Sequence, residues 1–275
     1  MTSSEKRLNN LDGKSWVKAT KSWFVINPKS RTSSQIQHPA KFPEELVKRF
    51  LKFFTKVGSW ILDPFAGVGS TLIASKEMGR NSVGVELSSE FVDIGETALY
   101  EGDGGSEYHL LQGDSRKIVE ILNNHFECNP PSFDFVMTSP PYWDMLRKSR
   151  GGNDSVHKER AEKGLRLAYS DKANDIGNIT DYPAYIESIG RIIGGLRPLL
   201  SDRAYLVVVV QNMRDVDGSL KTLAWDLAKR LADEYHLCQE MIWCQDNKKL
   251  GCWGYPTTYV SNVHHHYCLI LQNLL

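Results

Sequence analysis

Residues 60–71 of this chain, WILDPFAGVGST, decide its fold. The first three residues are apolar and lie between polar ones, which is typical of a short buried strand. Gly67 and Gly69 have no Cβ, so the backbone around them can approach a ligand closely. A helix is predicted to begin near Thr71, and its first turn would present unpaired N–H groups. The stretch therefore predicts a strand, a glycine loop and a helix, with a binding site at the strand's carboxyl end.

Strands and helices alternate along the rest of the chain. Further strand patterns lie at residues 81–86, 108–112, 133–137, 204–210, 237–245 and 267–271. Helix patterns lie between Pro43 and Gly58 and at residues 71–78, 90–100, 115–124, 182–200 and 220–235. Such alternation favours a mostly parallel sheet, here of seven strands, in an α/β fold. The last two strands have no helix between them and are expected to pair antiparallel at one edge.

Three successive predicted strands end in a carboxylate: Asp63, Glu86 and Asp114. Phosphate ligands are disfavoured, because Leu72 stands where a dinucleotide-binding loop needs its third glycine and no lysine follows Gly69. S-adenosylmethionine offers groups that suit three acids. Its ammonium would lie near Asp63, its ribose hydroxyls on Glu86 and its adenine amino group on Asp114.

A second loop, TSPPYW at residues 138–143, follows the predicted strand 133–137. Its two prolines remove two N–H donors, which leaves a loop rich in acceptors. Ser139 adds a hydroxyl, and Tyr142 adds a flat face for stacking. These features suit a planar substrate that carries an NH2 group. Taken alone, the six residues fit a tight turn with one core tyrosine equally well.

The two loops together resemble those of the nucleic-acid amino-methyltransferases, which make N4-methylcytosine or N6-methyladenine. DPFAGVGS at 63–70 resembles their cofactor loop, TSPPY at 138–142 their catalytic loop, and HPAKFP at 38–43 the segment that precedes the cofactor strand. The resemblance implies a Rossmann-like methyltransferase sheet, S-adenosylmethionine as cofactor, no metal, and a target base that is flipped out or unpaired.

Site residues follow from the resemblance and from the loop chemistry. Cofactor contacts are expected from His38, Lys41, Phe42, Pro43, Asp63, Pro64, Phe65, Gly67, Gly69, Ser70, Glu86, Leu87, Asp114, Ser115 and Thr138. The predicted catalytic residues are Ser139, Pro140, Pro141 and Tyr142. Substrate contacts are expected from Trp143, Arg147, Lys148, Trp253 and Tyr255.

The predicted acceptor is cytosine N4 in DNA, because a serine at position 139 is commoner among the cytosine enzymes of the resembling family. Adenine N6 in DNA and cytidine N4 in RNA are the alternatives. Two further classes stay open at this point. One is an inactive nucleic-acid-binding protein with a methyltransferase fold, and the other is a methyltransferase acting on a small molecule or on protein glutamine.

Residues 1–37 are predicted to form a basic, mostly loop-like segment with a possible short strand at 21–26. Residues 1–62 carry 12 Lys and Arg against 4 Asp and Glu, a balance of +8 that suits contact with phosphates. Residues 38–275 form the predicted methyltransferase domain, with insertions at 144–180 and 246–266. The cofactor loop precedes the catalytic loop, whereas many SPPY relatives have the reverse order. Target recognition is therefore expected from the N-terminal segment and the two insertions.

Composition sets the remaining expectations for this chain of 275 residues with a net charge of zero. The N-terminus lacks a signal-peptide pattern and no apolar run reaches a membrane span, so a cytoplasmic protein is expected. The five cysteines form no CxxC pair and are expected to be reduced thiols without zinc. Consecutive histidines at 264–266 would point to opposite faces of a strand and are expected at the surface or facing nucleic acid. The pattern does not indicate an oligomeric state.

Overall fold

The computed structural model describes residues 7–28, 42–100, 105–143, 175–215, 218–248, 250–252 and 254–274. Its helices are α1 (Gly13–Ala19), α2 (Glu44–Phe54), α3 (Ser70–Glu77), α4 (Ser89–Tyr100), α5 (Ile118–His125), α6 (Tyr182–Gly194) and α7 (Leu223–Leu231). Its strands are β1 (Trp23–Val25), β2 (Trp60–Asp63), β3 (Asn81–Glu86), β4 (Tyr108–Gln112), β5 (Phe133–Thr138), β6 (Leu200–Val210), β7 (Met213–Arg214), β8 (Leu220–Lys221), β9 (His236–Cys244) and β10 (His265–Gln272). Short 3-10 helices lie at Ser115–Lys117, Ile176–Asn178 and Arg197–Leu199.

Eight strands form one sheet in the order β1-β9-β10-β6-β5-β2-β3-β4. Neighbouring strands pair in parallel except β10, which runs antiparallel to both β6 and β9. The predicted mostly parallel α/β sheet is therefore confirmed, with one strand more than the seven expected. The additional strand is β1, which pairs with β9 at the sheet edge.

The antiparallel strand lies inside the sheet, whereas the sequence analysis placed it at an edge. Residues 268–271 of β10 are all buried. Because successive side chains of a strand face opposite sides, such a strand needs cover on both faces. A position between β6 and β9 also pairs both of its backbone edges, which an edge position cannot do.

Side chains of the strands alternate between two core clusters. On β6, Leu206 and Val208 belong to one cluster, and Val207 and Val209 to the other. Helices α5, α6 and α7 cover the first cluster, and α2 covers the second with α3 packed beside it. Helices thus cover both faces of the sheet. In sheets of this kind, ligands bind at the carboxyl ends of the parallel strands.

The N-terminal segment contains a helix that its sequence pattern does not predict, and the possible short strand at 21–26 is present as β1. Helix α1 begins after Asp12, whose carboxylate accepts a 2.8 Å hydrogen bond from the Ser15 amide. Strand β1 places Phe24 in the core, and the Asn9 side chain donates to the Phe53 carbonyl at 2.5 Å. Residues 7–28 thus pack as part of the domain. The predicted boundary between residues 37 and 38 lies outside the described residues.

Two element boundaries also differ from the sequence analysis. The predicted helix at 220–235 begins only at Leu223, because Leu220 and Lys221 form β8 and pair antiparallel with β7. Strand β6 begins at Leu200, where the sequence pattern predicted the end of a helix. Within the described ranges, no helix is long and apolar enough to cross a membrane.

Candidate active site

The glycine loop leaves β2 and enters α3 through two left-handed residues. Gly67 and Gly69 have φ angles of +54° and +81°, a region that favours glycine. The Ala66 amide donates a 3.0 Å hydrogen bond to the Val85 carbonyl of β3. Glycine at 84 permits this close approach, because a Cβ there would lie 2.6 Å from the Cβ of Ala66. The loop therefore lies tightly over β3, beside the carboxylate that ends that strand.

Glu86 ends β3 and holds the glycine loop through its carboxylate. Oε2 accepts a 2.9 Å hydrogen bond from the Gly67 amide, and Oε1 accepts one of 2.8 Å from the Ser88 amide. Burial raises the pKa of Glu86 to about 7, although both hydrogen bonds oppose the rise. Each oxygen keeps a second lone pair, so the ionised carboxylate can accept from two further hydroxyls.

Asp63 ends β2 and is only 1% exposed. Its Oδ1 accepts from the Phe65 amide at 3.0 Å and from the Thr138 hydroxyl at 2.6 Å. Its Oδ2 accepts from the Thr71 hydroxyl at 2.6 Å. Burial raises the pKa of Asp63 to about 6, against the effect of these bonds. The three contacts join the glycine loop, α3 and the end of β5, whereas the sequence analysis assigned Asp63 to a cofactor ammonium.

Asp114 follows β4 and is paired with a residue that the sequence analysis missed. Arg116 donates to its carboxylate from Nε at 2.9 Å and from Nη2 at 2.6 Å. The neighbouring Ser115 hydroxyl donates to the Pro64 carbonyl, which ties this turn to the glycine loop. An adenine amino group on Asp114 would therefore share the carboxylate with Arg116. The sequence signal that could have predicted this ion pair is the arginine two residues after the aspartate.

The SPPY loop leaves β5 and is braced from two sides. The Ser139 hydroxyl donates a 2.9 Å hydrogen bond to the Val209 carbonyl of β6. The Tyr185 hydroxyl of α6 donates to the Pro141 carbonyl at 2.7 Å. Tyr185 is fully buried and was not identified from sequence, where it is one more apolar position of a helix. These contacts fix the loop against β6 and α6, and the pairing of β5 with β2 places it beside the glycine loop at the same sheet edge.

The two aromatic residues of the loop lie in the core in this structure. Tyr142 is 7% exposed and Trp143 is 5% exposed. Trp143 donates from Nε1 to the Thr180 carbonyl at 3.1 Å and packs edge-on against Tyr182, with ring centroids 5.0 Å apart. The Lys221 ammonium lies 5.8 Å from the centre of the Trp143 ring. The predicted substrate residue Trp143 is thus packed against protein groups.

The other predicted site residues lie at several places. Phe42 packs against the second core cluster, and Pro43 precedes α2 as its N-cap. Ser70 is the first residue of α3, and Leu87 follows β3. Tyr255 is 82% exposed in the connection between β9 and β10. Outside the described residues lie His38, Lys41, Arg147, Lys148 and Trp253.

Of the histidines at 264–266, His266 differs from the expected surface position. The His266 ring stacks on the core residue Trp243, with centroids 4.6 Å apart and planes 25° from parallel. Burial lowers the pKa of His266 to about 3, so the ring is neutral. In the part of the chain that the structure describes, His, Cys, Asp and Glu form no group of three or more that could hold a metal ion.

Comparisons with known proteins point to one family. A model described as DNA methylase, N6_N4_Mtase, matches residues 2–97. The type II methyltransferase M.MthZI of Methanothermobacter thermautotrophicus is 30% identical over 134 residues, which are 46% of this chain and 35% of the relative. The type II methyltransferase M.MjaII of Methanocaldococcus jannaschii is 44% identical over 103 residues, which are 36% of this chain and 18% of the relative. The chain thus spans about a third of the length of M.MthZI and less than a fifth of the length of M.MjaII.

Among solved structures, the chain is similar to TrmN from Thermus thermophilus. The TM-score is 0.48 at 14% sequence identity, and the match covers 84% of this chain and 48% of TrmN.

Proposed function

We propose that the chain is a DNA amino-methyltransferase, as its similarity to a DNA methylase model and to type II methyltransferases indicates, and that it transfers a methyl group from S-adenosylmethionine to the exocyclic amino group of a base in DNA. The proposed acceptor is cytosine N4. The observation that carries the proposal is the Ser139 hydroxyl, which donates its proton to the Val209 carbonyl at 2.9 Å. With its proton directed there, Oγ presents its lone pairs as an acceptor for an amine hydrogen.

The residues around the glycine loop fit S-adenosylmethionine, the methyl donor of this family. Glu86 would accept the two ribose hydroxyls on the lone pairs that Gly67 and Ser88 leave available. Gly67 and Gly69 would allow the cofactor to lie against the loop backbone, and Asp114 would face the adenine. When bound, the cofactor supplies a methyl group on a positively charged sulfur.

The SPPY loop would prepare the acceptor nitrogen. The lone pair of an aromatic amine is delocalised into the ring, which makes the nitrogen a poor nucleophile. Ser139 Oγ and the Pro140 carbonyl would accept hydrogen bonds from its two N–H groups and draw the nitrogen toward sp3 geometry, which exposes the lone pair. Once methylated, the nitrogen would lose one of its protons, and the cofactor would leave as S-adenosylhomocysteine. Positioning and preorganised acceptors supply most of the rate enhancement in such a transfer. The target base must leave a duplex to reach this loop.

Stacking of the base on Tyr142 is a separate part of the proposal. Its ring is buried here, so the base would have to displace the groups that cover it. The exposed Tyr255 is proposed to contact the nucleic acid outside the catalytic loop, because a bare aromatic ring can stack on any base.

Methylation with labelled cofactor tests the proposal directly. The protein is incubated with duplex DNA, single-stranded DNA and ribosomal RNA in separate reactions, and digested nucleosides are analysed by mass spectrometry. We expect labelled N4-methyldeoxycytidine from DNA, and a loss of about 10²–10³ in rate for Ser139→Ala with cofactor affinity within a few-fold. Label only in N6-methyladenine would retain the enzyme class and replace the base. Label only in RNA, or in none of the three, would refute the proposed substrate.

A further inference from the structure

We propose that Asp63 is a positioning residue that joins the cofactor loop to the catalytic loop and makes no contact with the cofactor itself. The inference rests on the proposed function, because it concerns the same site. It assigns to Asp63 a role in the transfer step that differs from the ammonium contact expected from the sequence.

The hydrogen bonds of Asp63 span both loops. Oδ1 accepts from the Phe65 amide in the glycine loop and from the Thr138 hydroxyl at the end of β5. Oδ2 accepts from the Thr71 hydroxyl in the first turn of α3. One carboxylate group thus contacts a residue of each loop, although Asp63 and Thr138 are 75 positions apart in the chain.

Thr138 is the residue directly before Ser139. Ser139 is held on its other side by the Val209 carbonyl, at 2.9 Å from its hydroxyl. Asp63 and Val209 therefore define where the acceptor oxygen of Ser139 lies relative to the glycine loop. A misplacement of about 1 Å at a reacting group can cost about 10²-fold in rate, so a contact that sets this distance acts on turnover.

Asp63 and the two threonines that donate to it are buried together. Asp63 is 1% exposed, and Thr71 and Thr138 are 1% and 0% exposed. A buried carboxylate is costly unless donors surround it, and hydrogen bonds to a charged group are stronger than those between neutral groups. The hydroxyls of Thr71 and Thr138 donate to the Asp63 carboxylate and so hold the two loops in one arrangement. An apolar residue at position 63 would offer neither hydroxyl an acceptor. The Gly67 amide is held separately by Glu86, so this part of the glycine loop keeps its contact when Asp63 is changed.

A first test uses the free protein and needs no ligand. Thr138→Val keeps the side-chain shape but removes the hydroxyl, and Thr138→Ser restores a hydroxyl as the matched control. Amide hydrogen exchange is measured by NMR at Phe65 and Ser139. We expect Thr138→Val to speed exchange at both amides, in two loops that are distant in sequence, and Thr138→Ser to behave like the parent. Faster exchange at Ser139 with no change at Phe65 would overturn the link.

A second test separates binding from turnover. For Thr138→Val and Asp63→Ala, we expect the Kd of S-adenosylmethionine, measured by calorimetry, to stay within about threefold, and kcat to fall by about 10²-fold. The double variant should lose little more than Asp63→Ala alone, because that change already removes the contact to Thr138. Weaker cofactor binding at unchanged kcat, or fully multiplying losses, would overturn the inference. A parent protein that binds no cofactor would refute the proposed function, whereas the exchange test would still decide the link.

Discussion

Cofactor affinity is expected to depend on pH through Glu86. Burial raises the pKa of this carboxyl to about 7, and only its ionised form can accept a hydroxyl on each oxygen while holding Gly67 and Ser88. Binding therefore selects the ionised form. At pH 6 about one tenth of the molecules would carry ionised Glu86, and at pH 8 about nine tenths, so the Kd should be about tenfold higher at pH 6.

Calorimetry in two buffers of different ionisation enthalpy measures both the Kd and the protons released. Near pH 7 about half a proton should leave the protein for each cofactor bound, because about half of the Glu86 side chains are then protonated. Glu86→Gln provides the matched control. Its amide cannot ionise and has one acceptor atom in place of two, so binding should weaken by about 10- to 100-fold and lose most of its pH dependence.

The Glu86→Gln protein also keeps Asp63, whose pKa is raised to about 6. Any slope that remains in this variant therefore reports groups other than Glu86. The reasoning is refuted if the parent protein binds equally at pH 6 and pH 8 with no proton release. It is refuted equally if Glu86→Gln retains the affinity of the parent protein.

Three further expectations concern the glycine loop, the brace on the SPPY loop and the stability of the free protein. Gly67→Val should abolish cofactor binding, and it should cost about 1–2 kcal/mol of stability because φ at Gly67 is +54°. Calorimetry measures the binding and urea unfolding measures the stability. Tight cofactor binding by this variant would contradict the loop assignment. Tyr185→Phe leaves the Pro141 carbonyl without its 2.7 Å donor, so kcat should fall while the cofactor Kd stays within a few-fold in the same assays. Burial raises the folded-state pKa values of Asp63 and Glu86 to about 6 and about 7, above their ordinary values of 3.8 and 4.5. The stabilisation from each raised pKa is therefore present at low pH and lost as the pH rises through the folded value, by about 1 kcal/mol for Asp63 and about 2–3 kcal/mol for Glu86 between pH 5 and 8. Urea unfolding at both pH values should show the loss, and Asp63→Asn should reduce it.

The sequence by itself determined the fold class and the place of the site. Short apolar runs, helix patterns between them, and glycines after Asp63 are local patterns, and local patterns are sufficient to predict strands, helices and the loop between β2 and α3. The same patterns place Asp63, Glu86 and Ser139 at strand ends, and in a parallel sheet those ends share one edge. The family resemblance added the cofactor to this edge.

Tertiary structure alone decided which partner each of these groups has. The bond between Asp63 and Thr138 joins residues 75 positions apart, and the Asp114 carboxylate is occupied by Arg116 in a geometry that depends on the turn. Trp143 is packed in the core rather than exposed, because Tyr182 of α6 and the Thr180 carbonyl lie beside it. Hydrogen-bond partners and burial depend on contacts that form only when distant segments pack, so periodicity along the chain does not encode them.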